Sequence, residues 1–565
     1  MTKNRGMERA LPVLLALTLA SGAGALASST GDKADLVLRR GVLYPVVPEA
    51  RLEGSLAIAN GRVVAVGSDA DVSSLIGPDT RVEDLDGRMV VPGLIDAHSH
   101  LMGLGASLDG VDLRGAAPFA EVVHRVAAKA GEVPAGAWIR GRGWDQNLWP
   151  DKAFPTHDAL SRAVPDHPVW LDRVDGHASL LNAAAMRALG VDASVPDPPG
   201  GRILRDENGE PTGVLVDNAE GLFAAKIPDP PAESLARWIQ RGAGHALARG
   251  LTTVTEMGAD PPAVAAYRAL AARGELPIQT AVFWSGSLDD LATHLAAGPD
   301  TDPGDLLIVR GVKLYADGAL GSRGAALLAP YDDDAGNLGL LVTAPDELRR
   351  VAQISLEHGF QVGIHAIGDR GNVIAVDALQ AVLGEDGAAS RCRIEHAQII
   401  RRQDLDRMAE TGVIASMQPT HATSDMPWVP DRIGESRLER AYPWRLALER
   451  GVRLALGSDF PVEKVDPLLG IHAAVTRQDL AGNPEDGWLP DQVLTRQEAL
   501  RGFTLDAAYS LFLDGEVGSL EPGKRADVVV FDRDWMAGPA MEIPDARVDL
   551  TLIGGTIVYR REDSQ

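Results

Sequence analysis

The stretch "VPGLIDAHSH", Val91 to His100, has the form of a buried strand that ends in polar side chains. Its apolar part follows a proline and a glycine, and it gives way to Asp96, His98 and His100. Side chains alternate between the two faces of a strand, so two histidines one residue apart point to the same side. The pair is therefore either part of a metal site or two polar residues that end a core strand.

Seven further apolar runs follow, and helical patterns such as "PDELRRVAQISLEHG" separate most of them. The runs are "LTTVTEMG", "IQTAVFW", "LIVRGVKLYADG", "FQVGIHAIGD", "CRIEHAQ", "GVIASMQPT" and "VRLALGSDFP". Alternating strands and helices are typical of a parallel sheet, and eight such units form a (β/α)8 (TIM) barrel. The stretch from about 115 to 240 is too long for a simple crossover, so we expect an insertion after the first strand, over the barrel mouth.

The two ends of the chain differ from this α/β middle. Residues 33–91 read as short strands with turns, for example "GSLAIANGRVVAVG", and the far end reads the same way in "RVDLTLIGGTIVYR". Glycine and asparagine between such runs are typical of hairpins. We therefore expect one small β-sandwich built from residues 33–91 and 511–562, with the barrel in residues 92–510.

The first residues have the pattern of an export signal. Lys3, Arg5 and Arg9 form a basic start, "LPVLLALTLA" is an apolar run too short to span a bilayer, and Ala25-Leu26-Ala27 offers a cleavage site. The sequence predicts a signal peptide over residues 1–27 and a periplasmic location. The alternative is an ordinary N-terminal helix.

Composition limits the classes of partner. The 565 residues carry a formal net charge of -25, and 45% of them are hydrophobic. A charge of this sign argues against nucleic acid and against an anionic membrane surface, because both need basic patches. Cys392 is the only cysteine, so we expect no internal disulfide and a buried, inert thiol.

Polar residues recur at the ends of the predicted barrel strands. They are His98 and His100 on the first, Lys313 on the fourth, His365 on the fifth, His396 on the sixth and Asp459 on the eighth. The carboxyl ends of barrel strands meet at one mouth, where active sites form. Imidazole and carboxylate suit zinc and similar ions, and four histidines with an aspartate exceed the needs of one catalytic zinc. The pattern predicts two metal ions.

Lys313 is the unusual member of this set, because an ammonium group beside two cations is repelled. Burial lowers the pKa of a lysine, and a neutral amine captures carbon dioxide as an anionic carbamate that bridges two metals. The alternative is a lysine paired with Asp317 or Glu256.

Several stretches of the sequence, taken together, resemble those of a known family. It is similar to the amidohydrolase superfamily and, within it, to amidohydrolase family 3, the YtcJ-like group related to N-substituted formamide deformylase. The matching stretches are "VPGLIDAHSHL", "GRGWDQNLWP", "DGHASLLNAAAM", "GGRILRDENGEPTGVL", "VKLYADGALGSRGAAL", "GIHAIGDRGN", "RIEHAQ", "GSDFPVEKVDPLLGIHAAVTR" and "GSLEPGKRADVVVFD". They cover nearly the whole chain after the signal segment, and they specify the family but not the substrate.

The resemblance implies a (β/α)8 barrel with a β-sandwich made from both termini. It implies that His98 and His100 bind the more buried metal, that Lys313 is carboxylated and bridges, and that His365 and His396 bind the second metal. Asp459 matches the aspartate that touches the first metal and handles the proton. The cofactors expected are two zinc ions, with manganese or iron as alternatives, and carbon dioxide for the lysine.

Four residues outside this set are candidate substrate contacts. Trp144 and Asp145 in "GRGWDQNLWP" either line the pocket or pack the insertion. His177 in "DGHASLLN" either binds a substrate carbonyl or carboxylate or makes a polar contact at a helix start. Arg323 either pairs with an anionic substrate group or with a loop acid such as Asp317. The acidic run from Asp332 to Asp334 reads as a solvated loop.

The leading functional expectation is hydrolysis of the C–N bond of an acyclic amide, an N-acyl or N-formyl amine. Asp459 would accept the proton of the attacking water and return it to the leaving amine. The alternatives are a deaminase or cyclic amide hydrolase acting on a ring, and a non-catalytic metal- or ligand-binding protein. The partner expected is a small-molecule substrate, and exposed barrel helices favour a homodimer.

Overall fold

The computed structural model describes residues 33–562, except 228–229, 287, 302–303 and 385–386. The export signal predicted for residues 1–27 lies outside these residues. Among the described helices, none has the length and apolar character needed to cross a bilayer.

The strands of the described chain form three sheets. In chain order they are β1 (Leu36–Leu43), β2 (Leu52–Ala59), β3 (Arg62–Gly67), β4 (Arg81–Asp84), β5 (Met89–Pro92), β6 (Leu94–Ser99), β7 (Val111–Asp112), β8 (Ile139–Trp144), β9 (Val169–Arg173), β10 (Ala178–Leu181), β11 (Gly201–Arg205), β12 (Pro211–Asp217), β13 (Leu251–Ala259), β14 (Gln279–Trp284), β15 (Leu307–Tyr315), β16 (Gln361–Ala366), β17 (Arg393–His396), β18 (Ile414–Met417), β19 (Leu454–Leu456), β20 (Val528–Phe531), β21 (Val548–Ile553) and β22 (Thr556–Arg560).

The helices lie mainly between the barrel strands and in the insertion. They are α1 (Asp69–Ser73), α2 (Leu101–Ser107), α3 (Phe119–Ala130), α4 (Asp158–Ala163), α5 (Ala183–Leu189), α6 (Asn218–Ala224), α7 (Ala232–Leu247), α8 (Pro261–Ala272), α9 (Leu288–Ala296), α10 (Pro345–Glu357), α11 (Asp369–Val382), α12 (Arg402–Thr411), α13 (Pro419–Asp425), α14 (Val429–Ile433), α15 (Trp444–Glu449), α16 (Pro467–Thr476), α17 (Arg496–Gly502) and α18 (Leu505–Ser510). Short 3-10 turns cover Gln146–Leu148, Gly387–Ser390, Glu435–Arg440, Pro490–Gln492 and Ala540–Asp545.

Eight parallel strands make the barrel, in the order β6-β13-β14-β15-β16-β17-β18-β19. These are the eight runs that the sequence predicts, so the prediction of a (β/α)8 barrel is confirmed. Their residues are almost all buried, because helices cover the outside and side chains fill the inside.

The barrel is closed by backbone hydrogen bonds between the carboxyl end of its first strand and the residues that follow its last strand. The Asp459 N–H donates to the His98 carbonyl oxygen at 2.7 Å, and the His100 N–H donates to the Phe460 carbonyl oxygen at 2.8 Å. We call this contact between β6 and the residues after β19 the seam. Gly457 belongs to it, since a Cβ there would lie 2.6 Å from the His98 nitrogen. The seam therefore brings two predicted metal ligands together through their own backbones.

The insertion between β6 and β13 has a sheet of its own. Its strand order is β11-β12-β10-β9-β8-β7, with β7, β8 and β9 parallel and the others antiparallel. Separate clusters of buried apolar side chains, one around Trp144 and one around Phe223, stabilise it. The insertion is thus a folded layer with its own core.

The remaining strands come from both ends of the chain and form the order β22-β21-β20-β5-β1-β2-β3, with β4 pairing with β1. The first half of β1 pairs with β4 and the second half with β5, and one buried cluster takes side chains from both halves of the sheet. Asn60 and Gly61, both at positive φ, make the two-residue turn of the β2–β3 hairpin. Since β5 leads into β6, this sheet fixes the entry to the barrel.

Candidate metal centre

All six residues predicted as metal ligands lie at the carboxyl end of the barrel. They are His98, His100, Lys313, His365, His396 and Asp459, and all line one cavity. Parallel pairing aligns the strand ends, with Tyr315 beside His365 and Ala366 beside His396. The structure therefore brings together residues that are far apart in the chain, as the position of each at a strand end requires.

His98 is held in one tautomer. Its Nδ1 donates to Glu395 Oε2 at 2.6 Å, so Nε2 carries the lone pair. That Nε2 lies 3.5 Å from Lys313 Nζ and 3.6 Å from Asp459 Oδ1. Burial, helped by the nearby Lys313, lowers the pKa of His98 to about 4. A neutral imidazole with a fixed lone pair is the form that binds a metal ion.

His396 is oriented in the same way, by an amide. Its Nδ1 donates to Gln418 Oε1 at 2.8 Å, and the Gln418 side-chain nitrogen donates to the Ser416 carbonyl oxygen at 3.2 Å, which fixes the amide orientation. Nε2 of His396 is therefore the nitrogen with the lone pair. Burial holds the pKa of His396 well below its usual value, and the neighbouring His98 lowers it further.

In His365 the lone pair is on Nδ1, whereas in His98 and His396 it is on Nε2. Its Nε2 lies 3.4 Å from the Gly318 carbonyl oxygen, a distance at which it donates a hydrogen bond, and Nδ1 is left with the lone pair. The ring lies 4.7 Å from that of His396, centroid to centroid. Burial is the largest cause of a His365 pKa well below the usual value.

Asp459 is the residue whose surroundings most clearly suit a cation. Its Oδ1 is buried and lies 3.2 Å from His100 Nε2, but the pair is not aligned as a hydrogen bond, and Oδ1 has no donor within the described part of the chain. Burial alone would raise the pKa of this carboxyl, but its interactions with the neighbouring His98 and His100 outweigh burial and hold the pKa well below its usual value. A buried, ionised oxygen without a hydrogen bond needs another positive partner.

Lys313 has neither of the carboxylate partners that the alternative interpretation assigns to it. Asp317 accepts from the backbone N–H groups of Ala326, Ile367 and Gly368, and Glu256 accepts from Met102 N–H and the Tyr267 hydroxyl. Burial lowers the pKa of Lys313 to about 8, so a neutral amine is accessible to it.

The donor set fits a divalent metal ion. Ligand atoms of His98, His396 and Asp459 lie within 4.8 Å of one another, and all three residues are buried. Nitrogen donors with fixed lone pairs and an unpaired carboxylate oxygen are the ligands that zinc and related ions take. His100, His365 and Lys313 surround this group.

Sequence reasoning missed the residues that orient the histidines. Glu395 is wholly buried and holds both His98 and Arg393, whose Nη2 lies 2.7 Å from Glu395 Oε2. Glu395 directly precedes His396 in "RIEH". Its position two residues after Arg393 is the sequence feature that could have indicated a buried ion pair. Asp96, another polar residue of the first strand, accepts from the backbone N–H groups of His98 and Ser458.

The cavity above the centre has a volume of about 870 Å³ and is walled by both the barrel and the insertion. His177 lies in this wall, with its Nδ1 2.8 Å from Asp217 Oδ1 and its ring 4.9 Å from that of His365. Burial lowers the pKa of His177, but the hydrogen bond to Asp217 outweighs it, so the net shift is upward. Asp145 also lines the cavity and pairs with the buried Arg173. These two predicted substrate contacts are placed where a substrate can reach them.

Trp144 and Arg323 are not in that wall, and for them the structure corrects the prediction. The Trp144 ring is fully buried in the insertion core, where its Nε1 donates to the Leu171 carbonyl oxygen at 2.8 Å. Arg323 pairs with Asp333 at 2.9 Å. Asp333 also pairs with Arg432, so the acidic run is a set of ion pairs rather than only a solvated loop.

The comparisons with known proteins agree with this geometry. A family model described as "Amidohydrolase family" matches residues 81–559. The chain is 30% identical over 529 residues to a putative amidohydrolase, YtcJ, of Bacillus subtilis (strain 168), covering 92% of this chain and 98% of that protein. It is 30% identical over 523 residues to an N-substituted formamide deformylase of Arthrobacter pascens, covering 90% and 95%.

A solved structure of similar fold is an uncharacterized metal-dependent hydrolase from Pyrococcus horikoshii OT3. The TM-score is 0.73 at 30% sequence identity, and the match covers 89% of this chain and 99% of that one. The family resemblance read from the motifs is thereby confirmed. The chain belongs to the amidohydrolase family, and it is a hydrolase that acts on carbon–nitrogen bonds other than peptide bonds.

Proposed function

We propose that the chain hydrolyses the C–N bond of an acyclic amide, an N-acyl or N-formyl amine. The observation that carries this proposal is the unpaired Oδ1 of Asp459, which faces the same buried volume as the lone pairs of His98 and His396. An ionised carboxylate beside a metal site can accept a proton from water and pass it on. The formamide deformylase among the relatives supports an amide of this type.

We assign the metal positions by donor atom. His98 Nε2, His100 Nε2 and Asp459 Oδ1 would hold one ion, and His365 Nδ1 and His396 Nε2 a second. Zinc is the first choice, with manganese or iron as alternatives. When bound, such ions lower the pKa of water and polarise a carbonyl group.

Lys313 would join the two positions as a carbamate. Its neutral amine adds to carbon dioxide, the new bond joins Nζ to carbon, and one proton leaves to solvent. The two carbamate oxygens then supply the negative charge that an ammonium group lacks. Burial, a pKa lowered to about 8 and the engagement of Asp317 and Glu256 elsewhere support this modification.

Asp459 would move the proton. Its carboxylate is kept ionised at neutral pH, and Oδ2, the oxygen not assigned to the metal ion, takes a proton from the attacking water. The same oxygen then gives that proton to the amine nitrogen as the C–N bond breaks. An amide nitrogen is a poor leaving group, so this second transfer matters most. His177, fixed at Nδ1 by Asp217, leaves Nε2 for the rest of the substrate.

The test is a screen of N-formyl amines, N-acyl amines and N-acyl amino acids on protein reconstituted with zinc or manganese in bicarbonate buffer. We expect turnover of at least one acyclic amide, a loss of rate after chelation, and recovery when metal and bicarbonate are returned. Asp459→Asn should lower kcat by about 10²- to 10⁴-fold, the usual worth of a positioned proton-transfer group.

Metal analysis of the same samples separates loss of chemistry from loss of the site. We expect Asp459→Asn to retain most of its metal. A near-normal rate in that variant would contradict the proton-transfer role. Release of ammonia from a ring substrate, with no acyclic amide cleaved, would instead favour the deaminase alternative.

A further inference from the structure

The end of the seventh barrel strand also contributes to the cavity, although no metal ligand was predicted there. After β18, the segment "QPTHATSD" starts α13 and places His421 in the cavity wall. His421 is only 7% exposed, and its ring lies 5.9 Å from that of His396, nearly parallel to it. It therefore stands at the edge of the metal centre without being part of the predicted ligand set.

The tautomer of His421 is set by an amide. The side-chain nitrogen of Gln398 lies 3.0 Å from His421 Nδ1 and donates to it. An imidazole nitrogen that accepts a hydrogen bond has no proton in the neutral ring, so the proton of His421 is on Nε2. This is the reverse of His98 and His396, whose Nδ1 atoms donate and whose Nε2 atoms hold lone pairs. His421 thus presents a donor where the ligands present acceptors.

That donor has no partner. Nε2 of His421 is buried and has no hydrogen-bond acceptor among the described residues. The nearest carboxylate oxygen, Asp459 Oδ2, lies 3.6 Å away, beyond hydrogen-bond distance. A buried N–H left without an acceptor costs free energy, and such groups at active sites are commonly satisfied by the substrate. The missing acceptor should therefore be an oxygen of the molecule that fills the cavity.

The position of His421 beside Asp459 indicates which substrate oxygen accepts this hydrogen bond. Asp459 takes the proton of the attacking water through Oδ2, the oxygen that lies near His421, so the carbonyl under attack must lie within reach of both residues. We propose that His421 is a catalytic residue whose Nε2–H donates to the scissile carbonyl oxygen and binds it more strongly as that oxygen becomes negatively charged. This inference rests on the proposed amide hydrolysis. A fixed donor aimed at developing charge stabilises a transition state without reorganisation.

The kinetic test compares two substitutions of His421. His421→Met keeps the length of the side chain and removes the donor, and we expect kcat to fall by about 10²- to 10³-fold, as for loss of one such donor elsewhere. His421→Gln offers an amide N–H in place of Nε2–H and should recover about tenfold of that loss. Both variants should keep wild-type metal content, which a purely structural change at this site would alter.

The matched controls are His472→Met and His472→Gln. His472 lies on α16, is buried, and has its Nε2 3.4 Å from Met541 Sδ, outside the cavity. These variants remove a buried histidine of the same barrel, so they measure the general cost of that change. We expect their kcat to stay within about threefold of wild type.

A binding experiment tests the donor without turnover. Methylphosphonate, a tetrahedral oxyanion, is titrated calorimetrically into the zinc-loaded wild type and into each variant. We expect His421→Met to bind it at least about tenfold more weakly and the His472 variants to bind it as wild type does. Equal affinity in wild type and His421→Met, or no binding by wild type, would overturn the inference. If no amide is turned over, the proposed function fails while this titration still decides the role of His421.

Discussion

The ion pair of Arg393 and Glu395 under the metal centre shows how much of the site depends on residues that bind no metal. Neither side chain is exposed, and Glu395 is shared between Arg393 and the His98 ring. Burial alone would raise the pKa of Glu395, but Arg393 and His98 outweigh it and hold the pKa far below its usual value. The carboxylate is therefore charged, and it fixes the tautomer that His98 needs.

Glu395→Gln should weaken metal binding by about 10- to 100-fold, because a partner that orients a ligating histidine is typically worth that much. It should also lower the free energy of unfolding by about 3–5 kcal/mol, because the Arg393 charge loses its buried counter-ion. Competition with a chelator measures the first effect and urea unfolding the second.

Glu449→Gln is the control, since Glu449 is exposed and the change removes one carboxylate away from the cavity. Wild-type metal affinity in Glu395→Gln would contradict the orienting role.

For individual residues, the sequence predicts the metal ligands better than it predicts which residues line the cavity. A histidine at a strand end has a known direction, because the barrel fixes it. Trp144 could not be placed in the same way, since Gly143 at φ +108 and a shift of register between Arg142 and Trp144 decide the direction of its ring. His421 was missed because its role depends on Gln398 and Asp459, which are neighbours only in space.

The seam between β6 and the residues after β19 is the element on which the centre depends most directly. Gly457 lies where the two segments approach, and a Cβ there would be 2.5 Å from Asp96 Oδ1 and 2.6 Å from the His98 nitrogen. Neither neighbour can move freely, because Asp96 accepts from Ser458 and His98, and His98 is tied to Asp459.

Gly457→Ala should therefore force the seam apart. We expect it to lower the free energy of unfolding by about 1–3 kcal/mol, the usual cost of an added methyl group in a packed core. It should also reduce metal content, because His98 and Asp459 are displaced together. Thermal unfolding and metal analysis measure the two effects.

Gly515→Ala adds the same methyl group where no atom lies within 4 Å, and it should change neither quantity. An unaltered metal content in Gly457→Ala, with normal stability, would show that the seam tolerates the methyl group.

The strands themselves were predictable because each is a short apolar run between helical patterns. The position of the insertion also followed from its length. The internal sheet of the insertion was not predicted, because its short strands mix parallel and antiparallel pairing, which local sequence patterns do not distinguish.

For the whole molecule, the buried histidines make the stability of the metal-free protein depend on pH. The folded-state pKa of His98 is about 4, chiefly because of burial, whereas an unfolded histidine titrates near 6.5. Between these pH values the unfolded chain binds more protons than the folded chain. The contribution of neutral His98 to the free energy of unfolding is therefore complete above about pH 6.5 and is lost as the pH falls towards 4. His365 and His396 shift in the same direction.

The contribution of His98 can be isolated by difference. We expect the free energy of unfolding of the metal-free wild type, minus that of His98→Gln, to decrease by up to about 3 kcal/mol as the pH is lowered from 7 to 4.5. Urea unfolding at several pH values gives both terms. Buried acids with raised pKa values, such as Asp96, act in the opposite direction and cancel in the difference. Parallel profiles for the two proteins would contradict the shift.

The overall architecture was predictable because both chain ends carry the same hairpin patterns and the middle alternates strand and helix. The direct pairing of β20 with β5 explains why the ends belong together, since β5 runs straight into the first barrel strand. What the sequence could not show is how the barrel closes, because that depends on backbone hydrogen bonds between its first and last strands, which are far apart in the sequence.

Those closing bonds have a consequence for the order in which the molecule is assembled. During synthesis, His98 and His100 emerge early, while Asp459, whose backbone N–H bonds to His98, emerges only after the eighth strand has been made. A nascent chain that is still shorter than this carries most of its ligands but cannot complete the cluster of His98, His396 and Asp459. The complete centre can therefore form only after the last strand has paired with the first. A metal ion bound there would connect the two edges of the barrel sheet.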